Sequence, residues 1–495
     1  MSRVLEALEI YAARHPERIA LACGNDQLTY PQLLTAVTAL AARLRQADVQ
    51  ALALAADNSP AWAVADLACM QAGIPLIPVP HFFSPAQIGH LLNSAGVDAI
   101  ITDQPESITR LLNGLALTHQ PPRELTQALT LIAISTPDVA LPEGCAKITF
   151  TSGSTGEPKG VCLSRAAMET VAASLADATS ATASDRHLSL LPYATLLENI
   201  GGLYAPLLAG AAIVAPGMAG VGMSGAAGLD ISRFITALHQ AGATTCIMIP
   251  QMLHALIAAV EQGADRPARL RYIAVGGASV SPVLLQRAEA LGLAVFEGYG
   301  LSEAASVVAV NRENDCKPGS VGKPLPHVQL KFADDGEILV RGSLFSGYLG
   351  DAPQPAGEYW PTGDIGHLDD EGFLFLNGRK KHIFITAYGR NVSPEWVERE
   401  LSIEPAIAQC CVFGEARPFN VAVIVARQGA GSAQVQQAVA SANARLPDYA
   451  RVCRWIAADE PFSVGNGLWT GTGRPRRGHI FKAYAEKIDA IYKES

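Results

Sequence analysis

Residues 150–160 read FTSGSTGEPKG. Glycine, serine and threonine dominate the stretch and a lysine stands near its end, in a chain that is 49% apolar. AKITF (146–150), just before it, has the β-branched and apolar character of a strand. Glycines allow backbone angles that other residues avoid and let a ligand approach the main chain. Exposed N–H groups, hydroxyls and a lysine then form a concave anion site, whose natural occupant is a polyphosphate. Ordinary surface loops use the same residue types, so the stretch by itself leaves both possibilities open. It is not a Walker A loop, which needs glycine directly before its Lys-Ser/Thr pair. Here Pro158 precedes Lys159 and Gly160 follows it, so a kinase or motor-type ATPase loses its main support.

Outward from this loop, short apolar runs alternate with longer amphipathic segments. ALALAAD (51–57), IPLIPVP (74–80), DAIITD (98–103), AAIVAP (211–216), TTCIMIP (244–250) and YIAVGGA (272–278) read as buried strands. WAVADLACMQAG (62–73), SRFITALHQAG (232–242) and SPVLLQRAEALG (281–292) read as helices. The alternation predicts an α/β fold with parallel-rich sheets covered by helices. The texture changes after about residue 320. KFADDGEILVRG (331–342) and EGFLFLNGR (371–379) read as hairpin strands with Asp-Gly, Glu-Gly and Asn-Gly turns. PEWVERELS (394–402) reads as a helix, and AQCCVFG (408–414) and FNVAVIVAR (419–427) as strands. We expect a large N-terminal domain over 1–378 and a small α+β C-terminal domain over 379–495.

Composition sets further bounds. With 495 residues the chain exceeds one ordinary core. A net charge of −9 argues against a general nucleic-acid binder and still leaves room for a local phosphate site. The N-terminus, MSRVLEALEIYAARHPERIA, mixes charges into an amphipathic pattern, so no secretory signal is expected. Nine scattered cysteines without a CxxC pair fit reduced thiols in a cytoplasmic protein rather than a disulfide or metal framework. Residues 199–229 carry no charge, but Pro206, Pro216 and many glycines interrupt them. They read as buried strand and helix joined by a Gly-rich loop, not as a membrane span.

FTSGSTGEPKGV resembles the phosphate loop of the adenylate-forming (AMP-binding) enzymes: acyl-CoA synthetases, nonribosomal-peptide adenylation domains and luciferases. The other motifs follow in the family's order: LTYPQL (28–33), DNSPAWAVADLACMQAGIPLIPV (57–79), LPYATLLENI (191–200), EGYGLSEAA (297–305), KPGSVGKPLP (317–326), GEILVRGSLFSGYLG (336–350), YWPTGDIG (359–366) and GRKKHIFITAYGRNVSPEWVERE (378–400). The resemblance covers nearly the whole chain and points to the acyl-CoA synthetase branch. It implies a two-step acid–thiol ligase. A carboxylate attacks the α-phosphate of ATP to give acyl-AMP and pyrophosphate, and a thiol then displaces AMP. The first step needs charge neutralisation at phosphorus more than it needs an acid or base.

By this resemblance Thr151, Ser152, Gly153, Ser154, Thr155, Gly156 and Lys159 would hold the β- and γ-phosphates. Glu303 would bind Mg²⁺ through oxygen, and Ser302 would contact the α-phosphate. Tyr299, with Gly300 beside it, would lie against adenine, whose other side Gly277 and Ala278 would line. Asp364 would accept hydrogen bonds from the ribose hydroxyls, with Arg379 nearby. Lys381 would mark the hinge of a mobile C-terminal domain, and Gly389 would line the pantetheine tunnel. The implied pocket borders are Tyr193, Thr195, Gly201, Gly202, Gly276, Gly300 and Ala305. Their small or apolar character suits a fatty acid first and an aryl carboxylate second. Glu198 matches a glutamate that the acyl-CoA branch also carries, which argues against an amino-acid substrate. CoA and the phosphopantetheine arm of an acyl or peptidyl carrier protein present the same thiol, and a monomer or a homodimer would serve equally.

Three positions depart from the family pattern. The usual C-terminal lysine falls, in NGLWTGTGRPRRGHIFKAY (466–484), on Arg474. Either Arg474 does the lysine's work, or Arg476, Arg477 or Lys482 does, or adenylation is impaired and the chain is a nucleotide-binding homologue. Thr195 takes the position of a common histidine gate. His382 replaces an acid common after the hinge.

Overall fold

The apolar runs become the strands of two large sheets. The computed structural model describes residues 2–151, 158–224, 228–278, 280–355, 357–470 and 473–493. A nine-stranded sheet has a parallel centre formed by Ile19–Cys23, Ala212–Val214, Arg186–Leu188, Thr245–Met248, Tyr272–Val275 and Val295–Tyr299, with antiparallel strands at both margins. An eight-stranded sheet holds Leu52–Ala55, Leu76–Pro78, Ala99–Thr102 and Cys145–Thr151, the first three and the last joined by parallel pairing. Lys159–Ser164 extends it antiparallel to Cys145–Thr151. The strands buried on both faces are continuous apolar runs because helices cover them on either side.

Local chemistry sets the helix ends. Pro60–Ala72 starts at Ser59, whose hydroxyl accepts the Trp62 N–H, and ends at Gly73 in the left-handed region. Thr29 with Gln32, and Ser84 with Gln87, close reciprocal capping boxes on the helices that follow them.

Beyond these sheets, Gln329–Phe332, Glu337–Arg341, Trp360–Leu368 and Leu374–Arg379 form an antiparallel sheet. The Asn377-Gly378 pair, expected to be a turn, lies inside the last of these strands. Gly378 has φ of +135°, and a Cβ there would fall 2.2 Å from the Ser393 hydroxyl oxygen. The glycine therefore lets the segment before helix Pro394–Ser402 lie against the strand. The C-terminal strands Ile407–Phe413, Asn420–Ala426 and Val452–Ala457 form their own sheet, with helices Ser432–Ala444 and Arg477–Lys493.

The uncharged segment 199–229 is more irregular than its composition implied. Asn199–Tyr204 is a π-helix that runs into the short helix Ala205–Leu208, and Ala212–Val214 is the strand. Among the described residues no helix is long and apolar enough to cross a membrane. All nine cysteines are free.

A charged cluster fixes this π-helix inside the apolar core. The Lys147 ammonium donates to Asp66 Oδ1 at 2.5 Å, to the Tyr204 hydroxyl at 2.9 Å and to the Asn199 side chain. The Tyr204 hydroxyl donates to Asp66 Oδ2 at 2.6 Å. None of the four residues is more than 2% exposed. Removing one member of a buried ion pair leaves its partner uncompensated. Lys147→Met should therefore destabilise the protein by about 3–5 kcal/mol, read as a lower denaturant midpoint.

Candidate active site

The two strands flanking the glycine-rich stretch place Thr151 directly opposite Lys159. Residues Ser152, Gly153, Ser154, Thr155 and Gly156 lie outside the described residues. Thr151 and Lys159 open onto a cleft of about 2780 Å³, which also receives Gly276, Gly277, Ala278, Tyr299, Gly300, Ser302, Glu303, Asp364, Arg379, Lys381 and Arg474. Residues far apart in the sequence thus share one cavity.

Glu303 sits in the short 3-10 turn Ser302–Ala304, just after strand Val295–Tyr299. The chain before it must pass very close to its own return: a Cβ on Gly300 would lie 1.6 Å from the Ser306 carbonyl oxygen. Only glycine fits there. Glu303 Oε1 accepts the Tyr348 hydroxyl at 2.5 Å, and the Tyr348 ring lies 4.8 Å under the Lys159 ammonium.

Asp364 is held from two sides. Tyr299 Oη donates to Oδ2 at 2.7 Å, and Arg379 Nε approaches Oδ1 at 2.6 Å. Burial pushes the Asp364 carboxyl up from the usual range, and the Arg379 charge offsets part of that rise. Crowding by the cleft walls and then the Arg379 charge lower the proton affinity of the Lys381 ammonium and of the Arg474 guanidinium, although both side chains keep exposed surface. Arg474 stays a cation nonetheless, because a guanidinium does not deprotonate in proteins.

Arg474 reaches across the cleft from the C-terminal segment. Its Nε donates to the Gly277 carbonyl at 3.0 Å, and Nη2 donates to the same oxygen. The rival basic residues do not do this. Arg477 grips Glu398 through two bonds, at 2.7 and 2.9 Å, and also donates to the Val412 carbonyl. Lys482 lies exposed on the C-terminal helix, and Arg476 lines the cleft. His382 pairs with Glu395 at the start of helix Pro394–Ser402.

Several expected pocket residues need correction. Tyr193 does not border the cleft. It is fully buried, its hydroxyl bonds the Ser189 hydroxyl at 2.8 Å, and its ring packs 5.0 Å from Trp62. Ala305 is likewise fully buried in the core. Both lie in irregular segments, where spacing does not set side-chain direction. Thr195, Gly201 and Gly276 do line the cleft, but Gly202 faces the buried Glu198 and His187 instead. Gly389 lies exposed at the tip of the Phe384–Ile385/Asn391–Val392 hairpin, away from the cleft.

The sequence also hid three contributors: Tyr348, Lys147 and Glu297. Each falls inside a quoted stretch, but their partners come from distant segments. Glu297 is 6% exposed; Val280 N–H donates to its Oε1 at 3.4 Å, and Oε2 has no partner among the described residues. Among the described residues no group of three or more His, Cys, Asp or Glu side chains is placed to hold a metal. A lone carboxylate such as Glu303 suits Mg²⁺, which binds through one or two carboxylates plus substrate phosphates.

A family model described as AMP-binding enzyme matches residues 8–349, and one described as AMP-binding enzyme C-terminal domain matches 381–495. The long-chain-fatty-acid–CoA ligase FadD15 of Mycobacterium bovis is 36% identical over 248 residues, 44% of this chain and 41% of that ligase. The match thus spans about two-fifths of that relative's length. An indoleacetate–CoA ligase of Aromatoleum aromaticum is 28% identical over 446 residues, 83% of this chain and 84% of that enzyme. The crystal structure of the anthranilate CoA ligase AuaEII in complex with anthranoyl-AMP has a TM-score of 0.82 at 20% identity, covering 98% of this chain and 97% of that one. At that identity the likeness is one of fold.

Burial pushes the Glu297 carboxyl from its ordinary 4.5 up to about 7. The folded state then keeps a proton that the unfolded chain releases, so stability falls as pH rises through this window. Glu297→Gln keeps the acceptor for Val280 and does not ionise. It should stabilise the protein at pH 8 by on the order of 3 kcal/mol and very little near pH 4.5, in paired denaturant titrations.

Proposed function

The chain belongs to the AMP-binding enzyme family, and from that premise we propose that it is an AMP-forming acid–thiol ligase for an apolar carboxylic acid. A carboxylate oxygen bonds to the α-phosphorus of ATP and pyrophosphate leaves. A thiol sulfur then bonds to the acyl carbon and AMP leaves. The observation that carries this proposal is Arg474. It crosses from the C-terminal segment into the cleft that holds Lys159, Glu303 and Asp364.

The roles follow from chemistry and position. Lys159, with Thr151 and the loop between them, holds the terminal phosphates. Glu303 would hold Mg²⁺, which supplies charge neutralisation at the phosphates. Ser302 faces the α-phosphate. Asp364, aligned by Tyr299 and Arg379, accepts the ribose hydroxyls. Arg474 supplies the positive charge of the family's usual lysine, as a planar fork rather than a point. Lys381 is the hinge between 1–378 and 379–495. Rotation there would withdraw Arg474 and bring Gly389 from its exposed hairpin to the thiol's path.

An apolar acid is favoured because Glu198, the carboxylate that the 191–200 segment offers, is not available to an ammonium. Glu198 is fully buried and bound to His187 Nε2 at 3.0 Å. Gly201 and Gly276 line the cleft with apolar side chains against them, Ile247 at Gly201 and Leu197 at Gly276. A fatty acid is the first choice and an aryl acid the second. The named relatives include ligases for both kinds. CoA is the expected thiol, and a carrier-protein phosphopantetheine is the alternative.

Acid-dependent pyrophosphate release with ATP and Mg²⁺, over a panel of fatty and aryl acids, tests this directly. Wild type should respond to one acid class. Arg474→Ala should lose about 100-fold in release while keeping thioester formation from supplied acyl-AMP. Release from Arg474→Lys with none from wild type would mean that the arginine blocks the first step, and the nucleotide-binding homologue would replace the ligase.

A further inference from the structure

Lys159 and Glu303 come from different parts of the chain, and a single side chain touches both. Strand Gly347–Tyr348 lies antiparallel beside Lys159–Ser164, with Tyr348 opposite Val161. Ser346 N–H donates to the Cys162 carbonyl and Leu349 N–H to the Gly160 carbonyl, both at 2.8 Å, so the main chain of Tyr348 is pinned to the base of the phosphate loop. Its ring is wedged by Phe345 at 5.0 Å and Trp360 at 5.9 Å, both edge-on. A second anchor runs the other way, as Phe345 N–H donates to the Glu303 carbonyl at 2.7 Å. The ring face then receives the Lys159 ammonium and the hydroxyl donates to Glu303 Oε1.

Opposite charges this near one another would tend to pair and cancel. Tyr348 offers each a neutral partner instead: a π-face to the cation and an O–H to the anion. A phenol is protonated at neutral pH, so the hydroxyl is a donor to the carboxylate. The carboxylate is thereby left unpaired with the ammonium, one free to meet a metal and the other a phosphate.

We propose that Tyr348 is a positioning residue for nucleotide capture, aligning the phosphate-binding ammonium of Lys159 and the metal-binding carboxylate of Glu303 and keeping them apart. This rests on the ligase proposal above, through the roles given there to Lys159 and Glu303. The two functions of the side chain are separable. Tyr348→Phe keeps the ring and removes the donor. Tyr348→Leu removes both.

The test is calorimetric binding of an ATP analogue with a methylene bridge between its α- and β-phosphates, titrated with and without Mg²⁺, so that no turnover is needed. Tyr348→Phe should raise the Mg²⁺ concentration for half-maximal enhancement of binding by about tenfold. Its Mg²⁺-free affinity should match wild type. Tyr348→Leu should show the same Mg²⁺ shift and lose about fivefold more in Mg²⁺-free affinity as Lys159 loses its platform. A Tyr348→Phe protein with the wild-type Mg²⁺ requirement overturns the proposal, provided that Glu303→Gln shifts that requirement. If Glu303→Gln and Lys159→Ala both bind as wild type does, the assignment of the nucleotide site fails and the role of Tyr348 falls with it. Tyr348→Phe retains the packed ring, so the test survives if Tyr348→Leu does not fold.

Discussion

The burial of one ammonium group organises the N-terminal part of the molecule. Lys147 lies two positions from Thr149 and four from Thr151, on the strand that leads into the glycine-rich loop. Withdrawing a cation from water costs several kcal/mol unless anions and acceptors surround it. Asp66, Asn199 and Tyr204 meet that need, and they come from helix Pro60–Ala72 and from both ends of the π-helix. The loop's stem, the first helical layer and the wall bearing Gly201 are therefore held at a common point. The cleft inherits its shape from a polar contact placed well behind it.

On the cleft side, charge is arranged so that no group is spent on its neighbour without return. Asp364 is aligned by Tyr299 and Arg379, both of which leave its carboxylate ionisable at the cleft edge. Glu303 and Lys159 are kept from each other by a phenol. By contrast, Glu198 is paired with His187 and Glu398 with Arg477. Glu303 and Lys159 are thus held by a neutral side chain, whereas Asp364 and Glu398 each meet a guanidinium.

Much of this was legible before any coordinates. Apolar runs such as TTCIMIP and YIAVGGA could be read as parallel strands because both faces are buried, and the chemistry of FTSGSTGEPKG shows in its residue types. What escaped is of two physical kinds. Side-chain direction in irregular backbone does not follow a period, so the motif pattern puts Tyr193 and Ala305 at the pocket although both are buried in the core. Asn377-Gly378 was read as a turn because the pair has turn chemistry, whereas its glycine answers to the approach of Ser393, a tertiary demand. Tyr348 and Lys147 act through partners dozens of residues away and Glu297 through one on the loop before the preceding helix, and no local pattern encodes such meetings.

The contact between Arg474 and Gly277 has a consequence for how this chain can drift. Its acceptor is a main-chain oxygen, which every residue type at position 277 would also carry. The donor, in contrast, is a side chain that a single codon change can remove. A change at 474 removes the donor outright, whereas a change at 277, where φ is +84°, can only strain the main chain that presents the acceptor. A lineage can weaken it at 474 with one step, and nothing encoded at 277 can restore the missing donor. Compensation would have to arise elsewhere in the C-terminal segment, which makes position 474 the point where descendants of this sequence keep or lose the contact.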